Sequence, residues 1–328
     1  SVSITEAIKY LHHSIELRPG FPWAYNDLAG AYLFRARVKL ENLENPTPDL
    51  QEALCNTEQA SKLDPDYITP YSNSAYFRYM IADYLREHGN DPRAELAAGM
   101  RSGEDCVAHR PSLSDCYSNL ALLSLTAARY YASTQQPEPF LAALTRTFSS
   151  LQAAEERGDK SLEHEQSVLA AQVLSAQQKV RSGQDAAAEK ARAQTALAAC
   201  RALSAKDSLC TILAAELALL DAETAAQPTT RAEALAQALV AAEQAVAENP
   251  RSAPGHRVLA AVRLARARLQ LAGRRRAAAA AEVTAGGAAL ARALALNPDS
   301  PSAKELRAAL AALPELGLTK DGKAEKEQ

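Results

Sequence analysis

The sequence has no aromatic residue after Phe148, although 17 aromatic side chains precede or occupy that position in a chain of 328 residues. The 180 residues that follow have no ring that could stack on a nucleic-acid base or a cofactor. Alanine and leucine must pack that part of the core, which makes a large apolar-walled active-site pocket hard to build there. This absence divides the chain by composition near residue 149.

Cysteine is also scarce, and the numbers of positively and negatively charged side chains are nearly equal. Lys and Arg number 36 against 39 Asp and Glu, so no global basic field favours nucleic acid. Five cysteines is a small and odd number, which favours a reducing compartment and predicts a cytoplasmic location. We find no signal-peptide core and no apolar run near the roughly 20 residues of a membrane span. Because Ser1 stands where an initiator Met would, we expect a piece of a longer protein.

Motifs that carry chemistry are missing as well. The sequence contains no glycine-rich phosphate loop of the GxGxxG or Walker A type, and neither the HRD nor the DFG motif of protein kinases. The metal-binding patterns HExxH and CxxC are absent too. We therefore expect no catalytic site, no cofactor and no metal ion in this chain.

What the sequence does contain is a repeat of about 46 residues. The seven repeat turns fall at Pro19, Pro65, Pro111, Gly158, Ala205, Pro250 and Pro298. Apolar residues recur every three or four positions on both sides of the first turn, which indicates amphipathic helices. No segment alternates with period two, so no strand is predicted. Each repeat is therefore expected to form two antiparallel helices of about 18 to 22 residues.

The helix that follows the first turn resembles the first helix of a tetratricopeptide repeat, with Tyr25, Leu28, Ala29 and Tyr32 at the family's positions. This resemblance implies an all-α, right-handed superhelix of about seven hairpins that binds extended peptides on its concave face. The spacing exceeds the family's usual value of about 34 residues. It is similar to that of the C-terminal tetratricopeptide regions of bacterial serine/threonine protein kinases.

The repeats differ in composition along the chain. We expect aromatic-rich repeats over 1–149, alanine-rich repeats of the same solenoid over 150–313, and a disordered charged tail over 314–328. Three glycines lie inside predicted helices, namely Gly99, Gly103 and Gly286. Each is expected where neighbouring helices approach closely, because glycine otherwise destabilises a helix by up to about 1 kcal/mol.

Four of the five cysteines are placed symmetrically about two of the turns. Cys106 and Cys116 each lie five residues from one turn, and Cys200 and Cys210 each lie five residues from another. Such positions face each other across a helical hairpin, so each pair could form a disulfide if its Cα atoms lie within about 7 Å. The sequence favours the alternative that they are small apolar fillers. Cys55 has no partner in this scheme.

The resemblance places a peptide groove on the first helix of each repeat. The groove candidates are Trp23, Asn26, Asp27, Asn73, Tyr76 and Asn119. Asn73 and Asn119 share one repeat position, and an amide offers both a donor and an acceptor to a peptide backbone. The alternative, that these asparagines bridge helices, has equal support. At the positions of the family's carboxylate clamp the sequence has Asn and Ser instead of Lys and Arg, so the clamp is not expected.

A second candidate surface is basic. Eight arginines and no acidic residue lie between Glu248 and Glu282. The patch candidates are Arg257, Arg263, Arg266 and Arg274. They could attract RNA or an acidic ligand, but without an aromatic nearby a solvated helix is favoured.

The sequence as a whole predicts a non-enzymatic scaffold for a protein or extended peptide partner. The alternative is the regulatory C-terminal region of a bacterial serine/threonine protein kinase whose catalytic domain lies outside this chain. A nucleic-acid partner is a weaker alternative, and self-association is left open.

Overall fold

The computed structural model describes residues 3–313, in which it contains fourteen α-helices and no strand. The helices are α1 (Ile4–Leu17), α2 (Pro22–Glu41), α3 (Thr47–Leu63), α4 (Thr69–Glu87), α5 (Arg93–His109), α6 (Ser114–Ser133), α7 (Pro137–Glu156), α8 (Leu162–Arg181), α9 (Ala187–Leu203), α10 (Ser208–Thr224), α11 (Pro228–Glu248), α12 (Ala253–Ala272), α13 (Arg276–Leu296) and α14 (Pro301–Ala311). The prediction of an all-α fold of about seven hairpins is confirmed. The tail predicted over 314–328 lies outside the described residues.

Each of the seven predicted turns joins an odd-numbered helix to the next even-numbered one. A tyrosine six residues after the turn proline donates its hydroxyl to the proline carbonyl in three repeats: Tyr25 to Pro19 at 3.1 Å, Tyr71 to Pro65 at 3.4 Å and Tyr117 to Pro111 at 3.1 Å. In the half without aromatics, Nε2 of His256 makes the same contact with the carbonyl of Pro250 at 3.0 Å. The turn is therefore closed by a repeated side-chain donor.

Two compact units make up the chain, the first ending at Ser167 and the second beginning at Val168. Consecutive helices pack together from α1 to α7 and from α9 to α14. The even-numbered helices also contact one another, α2 with α4 and α4 with α6 in the first unit, and α10 with α12 and α12 with α14 in the second. Within each unit they form one layer, and we call the surface of that layer away from the odd-numbered helices the even-helix face of the unit. The division predicted at residue 149 is one of composition and stays a prediction.

The two units bury different side chains. In the first unit Phe77 and Phe140 are at most 1% exposed. In the second, a cluster of fully buried alanines on α11 packs against Val258 and Val262 of α12. The predicted close approaches are confirmed, since a Cβ added at Gly99 or Gly103 would lie 2.6 Å from a leucine of α6. At Gly286 the added atom would lie 3.1 Å from the Cβ of Arg263.

One helix of the described residues, α13, is long and apolar enough to cross a membrane by length and composition, whereas the sequence argument found no apolar run near that length. Within the second unit it packs against α12 and α14. It also buries Glu282, which pairs with Arg263 and Arg266 of α12. These contacts are those of a core helix in a repeat array.

A buried carboxylate joins the first two hairpins. Asp49, at the start of α3, lies 2.7 Å from Nη2 of Arg35 and 2.9 Å from Nζ of Lys39, both on α2. Burial alone would raise the pKa of Asp49, but the hydrogen bonds from Arg35 and Lys39 outweigh it and hold the pKa below its ordinary value of 3.8. A carboxyl whose pKa is lowered by folding stabilises the fold above its unfolded pKa, and this stability is lost as the pH falls through the folded pKa.

We therefore expect Asp49→Asn to lower the urea midpoint at pH 7 and to lower it less at pH 3. The reason is that pH 3 lies below the ordinary pKa of 3.8, so the wild-type carboxyl is then largely protonated in the unfolded chain. Urea unfolding at pH 7, 5 and 3 measures this. Asp66→Asn is the matched control, because Asp66 is exposed. A deficit of equal size at all three pH values would contradict the assignment.

Candidate functional site

The candidate asparagines join consecutive even-numbered helices. Nδ2 of Asn73 donates to Oδ1 of Asn26 at 2.9 Å, from α4 to α2. Nδ2 of Asn119 on α6 lies 3.0 Å from both the carbonyl oxygen and the hydroxyl of Ser72 on α4. Both bonds span 47 residues, so one geometry recurs at two junctions. The structure therefore has the helix-bridging arrangement, and Asn119 is buried in it.

Trp23 and Asp27 lie at the turn end of the even-helix face. The Trp23 side chain is 50% exposed. Its ring packs edge-to-face on Phe21 and Tyr67, with centroids 5.6 and 5.8 Å away. Burial raises the pKa of Tyr67, and the nearby Asp27 carboxylate raises it further. These four residues form a turn cluster that is separate from the asparagine row.

Tyr76 belongs to a second group in the middle of the same face. Its hydroxyl accepts a hydrogen bond from Nη2 of Arg37 at 2.9 Å, and the Arg37 guanidinium lies 5.6 Å from the ring centroid. The ring of Tyr79 lies 5.7 Å from that of Tyr76. Arg37 comes from α2 and the tyrosines from α4, so the group crosses between helices.

Charged side chains surround these tyrosines. Nη2 of Arg86 lies 2.7 Å from Asp83 and 2.5 Å from Glu87, all on α4. Burial alone would raise the pKa of Asp83, but Arg86 and Arg129 of α6 outweigh it and hold that pKa down. We call Arg37, Tyr76, Tyr79, Asp83, Arg86, Arg129 and Glu163 the central cluster.

The surroundings of the central cluster raise the pKa values of two of its acidic groups, Tyr79 and Glu163. Burial raises the pKa of Tyr79, Asp83 and Glu163 add to that rise, and Arg129 opposes it. The Tyr79 hydroxyl is therefore a protonated donor at neutral pH. Burial also raises the pKa of Glu163, against the effect of Arg37. The cluster can offer hydrogen bonds and positive charge to a bound chain.

The sequence argument missed the charged members of this cluster, although a signal for three of them exists. Arg37, Asp83 and Arg129 each lie 18 residues after the turn proline of their repeat. A charged residue recurring at one repeat position, 46 residues apart, indicates a shared surface. The sequence argument looked for charged residues at the carboxylate-clamp positions, which lie near the start of each even-numbered helix. Arg37, Asp83 and Arg129 lie about three turns further along their helices.

Three of the eight arginines in the basic stretch predicted in the second unit form ion pairs. Salt bridges link Arg257 to Glu216 at 2.9 Å, Arg263 to Glu243 at 2.6 Å and to Glu282 at 3.0 Å, and Arg266 to Glu282 at 2.7 Å. Arg274 lies in the turn after α12 with a φ of 58° and is exposed. The acids come from three other helices, so the arginine-rich sequence is not a bare cationic surface.

Both symmetric cysteine pairs form disulfides, whereas the sequence favoured unbonded fillers. The Cα atoms lie 5.5 Å apart for Cys106–Cys116 and 6.4 Å apart for Cys200–Cys210. Cys55 is free and exposed. A carboxylate oxygen of Asp207 and the sulfurs of Cys200 and Cys210 lie within 4.8 Å of one another, as the ligands of a metal ion would. The two sulfurs are bonded to each other, however, so they are not free thiolates that could bind a metal.

No protein-family model and no curated protein matches this sequence. Solved structures do match. A tetratricopeptide repeat protein from Parabacteroides merdae aligns over 94% of this chain and 92% of its own length, with a TM-score of 0.51 and 14% identity. Yeast Tom70 aligns over 94% of this chain and 59% of its own, with a TM-score of 0.44 and 13% identity. YrrB, described as a tetratricopeptide repeat protein with an unusual peptide-binding site, aligns over 76% of this chain and 97% of its own, with a TM-score of 0.39 and 13% identity.

Proposed function

Because the chain has the fold of the tetratricopeptide repeat proteins, we propose that it is a non-enzymatic scaffold that binds a protein or extended peptide on the even-helix face of its first unit. The observation that carries the proposal is the central cluster. It combines two neighbouring tyrosine rings with arginines from α2 and α6 on a face that spans three repeats. Tyrosine and arginine are the side chains that contribute most to binding energy at protein interfaces.

Two of the cluster's arginines are available to a partner. Arg86 is held by Asp83 and Glu87, whereas Arg37 and Arg129 have no carboxylate of the described residues within 4.0 Å. The hydrogen bond of Arg37 goes to a neutral hydroxyl, so its guanidinium group is held in no ion pair with a described residue. The asparagine row stabilises this layer of helices, because its hydrogen bonds join α2 to α4 and α4 to α6.

The finer sequence predictions stay predictions. The link to a bacterial kinase regulatory region rests on the long repeat spacing, and an upstream coding sequence with HRD and DFG motifs would establish it. The cytoplasmic location rested on the small, odd number of cysteines. The two disulfides weaken that argument, and fractionation tests the location. The nucleic-acid alternative is weakened by the ion pairs of Arg257, Arg263 and Arg266.

The proposal is tested by selecting binders from a phage library of random dodecapeptides and measuring their affinity by fluorescence polarisation. We expect the double variant Tyr76→Ala/Arg129→Ala to bind the selected peptides at least about tenfold more weakly, which is about 1.4 kcal/mol. The cause is loss of an aromatic anchor together with a cation that has no carboxylate of the described residues within 4.0 Å.

Leu141→Ala is the matched control, since Leu141 is 57% exposed on α7, an odd-numbered helix. Its affinity should equal that of the wild type, and circular dichroism should show that both variants are folded. Selected peptides that bind the double variant and the wild type equally would place binding elsewhere and contradict the proposal.

A further inference from the structure

The paired cysteines occupy a site that recurs in other hairpins of the repeat. The equivalent positions in three other hairpins hold Ala60 with Pro70, Ala245 with Gly255, and Ala293 with Ala303. All six of these residues are buried. The repeat itself therefore brings the end of an odd-numbered helix against the start of the next even-numbered one, with room for small side chains only. Two cysteines at this site convert a packing contact into a covalent bond.

The separation and burial of the cysteines set conditions on when the bond can form. The Cα distances of 5.5 and 6.4 Å lie within the range that disulfides span. All four side chains are at most 1% exposed. A dissolved thiol or disulfide cannot reach such sulfurs while the hairpin is closed, so exchange requires local opening. The bond must form as the hairpin closes and is then protected.

Each unit carries one such bond, and each bond fixes the start of an even-numbered helix. Cys116 precedes Ser118 and Asn119, which hydrogen-bond to Asp159 and Ser72. In the second unit the carboxylate of Asp207 accepts from the backbone N–H of Cys210 and caps α10. The covalent bond and the cap act on the same helix end.

We propose that the two cysteine pairs are modification sites for thiol–disulfide exchange. Each disulfide forms as its hairpin folds and is shielded from reductant thereafter. In the first step one cysteine thiolate attacks the sulfur of a donor disulfide, forming a mixed disulfide and releasing one donor thiolate. The second cysteine thiolate then displaces the other donor thiolate. Two protein thiols are oxidised, and one donor disulfide is reduced to two thiols, which take up the two protons that the protein thiols lose. The donor class is a small-molecule or protein disulfide, present where the chain folds.

The pairing is tested by refolding the reduced, denatured chain in a mixture of reduced and oxidised glutathione. Acid quenching, alkylation under denaturing conditions and mass spectrometry then report each thiol. We expect one alkylated cysteine, Cys55, and two linked peptide pairs. Bonds from Cys55 to other cysteines, or five alkylated thiols, would overturn the proposal.

The shielding and the stabilisation are tested on the oxidised protein. In dithiothreitol the folded chain should keep both bonds at least about tenfold longer than the same chain in denaturing guanidinium. Its Tm should exceed that of Cys106→Ala/Cys116→Ala or of Cys200→Ala/Cys210→Ala by about 4 °C each. Both alanine variants should fold, because alanine occupies this site in other hairpins. Equal reduction rates in the folded and denatured chain, or unchanged Tm values, would overturn the proposal.

Discussion

Replacing Gly103 by leucine is expected to lower the free energy of unfolding by about 3 kcal/mol. Gly103 is buried on α5, and a Cβ at this position would lie 2.6 and 2.8 Å from Cδ2 and Cγ of Leu120 on α6. The Cγ atom is close to the Leu120 backbone, so rotation of that side chain cannot relieve the whole overlap. The larger residue must push α5 away from α6, in a core that is otherwise close-packed.

Urea unfolding monitored by circular dichroism measures this effect. Gly30→Ala is the control, since Gly30 lies in α2 with no atom within 4 Å of an added Cβ. It should stabilise the protein by up to about 1 kcal/mol through helix propensity alone. A Gly103→Leu variant as stable as the wild type would show that α5 and α6 do not approach as described.

Glu282→Gln is expected to lower the free energy of unfolding by about 2 kcal/mol. The carboxylate of Glu282 is buried on α13 and receives Nη1 of Arg263 at 3.0 Å and Nε of Arg266 at 2.7 Å. A neutral amide keeps the shape of the side chain but removes the charge that faces two partly buried guanidinium groups. High salt should reduce this loss of unfolding free energy only as far as salt ions can screen the partly buried ion pairs of Glu282.

The control for this prediction is Glu243→Gln. Glu243 also pairs with Arg263, at 2.6 Å, but its side chain is 49% exposed. Exposed ion pairs contribute about 0 to 1 kcal/mol, so this variant should differ little from the wild type in thermal and urea unfolding. Equal effects of the two substitutions would mean that Glu282 is no more than a surface partner.

The repeat could be predicted because its signals are local in sequence. In the first three repeats, a proline, a tyrosine six residues later and an apolar residue every three or four positions define the turn and both flanking helices, and Tyr25, Tyr71 and Tyr117 close these turns. Gly99 and Gly103 indicated close helix packing for the same reason, since a glycine inside a helix needs a local cause.

The pairing of charges could not be predicted in this way. The arginines of α12 lie in a stretch without acids, yet their partners Glu216, Glu243 and Glu282 come from α10, α11 and α13. Which turn of one helix faces which turn of the next decides such pairs, and sequence spacing within one helix does not reveal it. The role of Asn73 and Asn119 was open for the same reason, because an amide can serve a neighbouring helix as well as a ligand.

The asparagine bonds join the same two repeat positions at successive junctions, from Asn73 to Asn26 and from Asn119 to Ser72, each over 47 residues. A junction of this kind needs only the hairpin before it and the hairpin after it. Duplication or deletion of one whole hairpin would leave every remaining junction with both of its partners. The reach of the binding surface can therefore change in evolution by whole-hairpin steps, without redesign of the interfaces that hold it together.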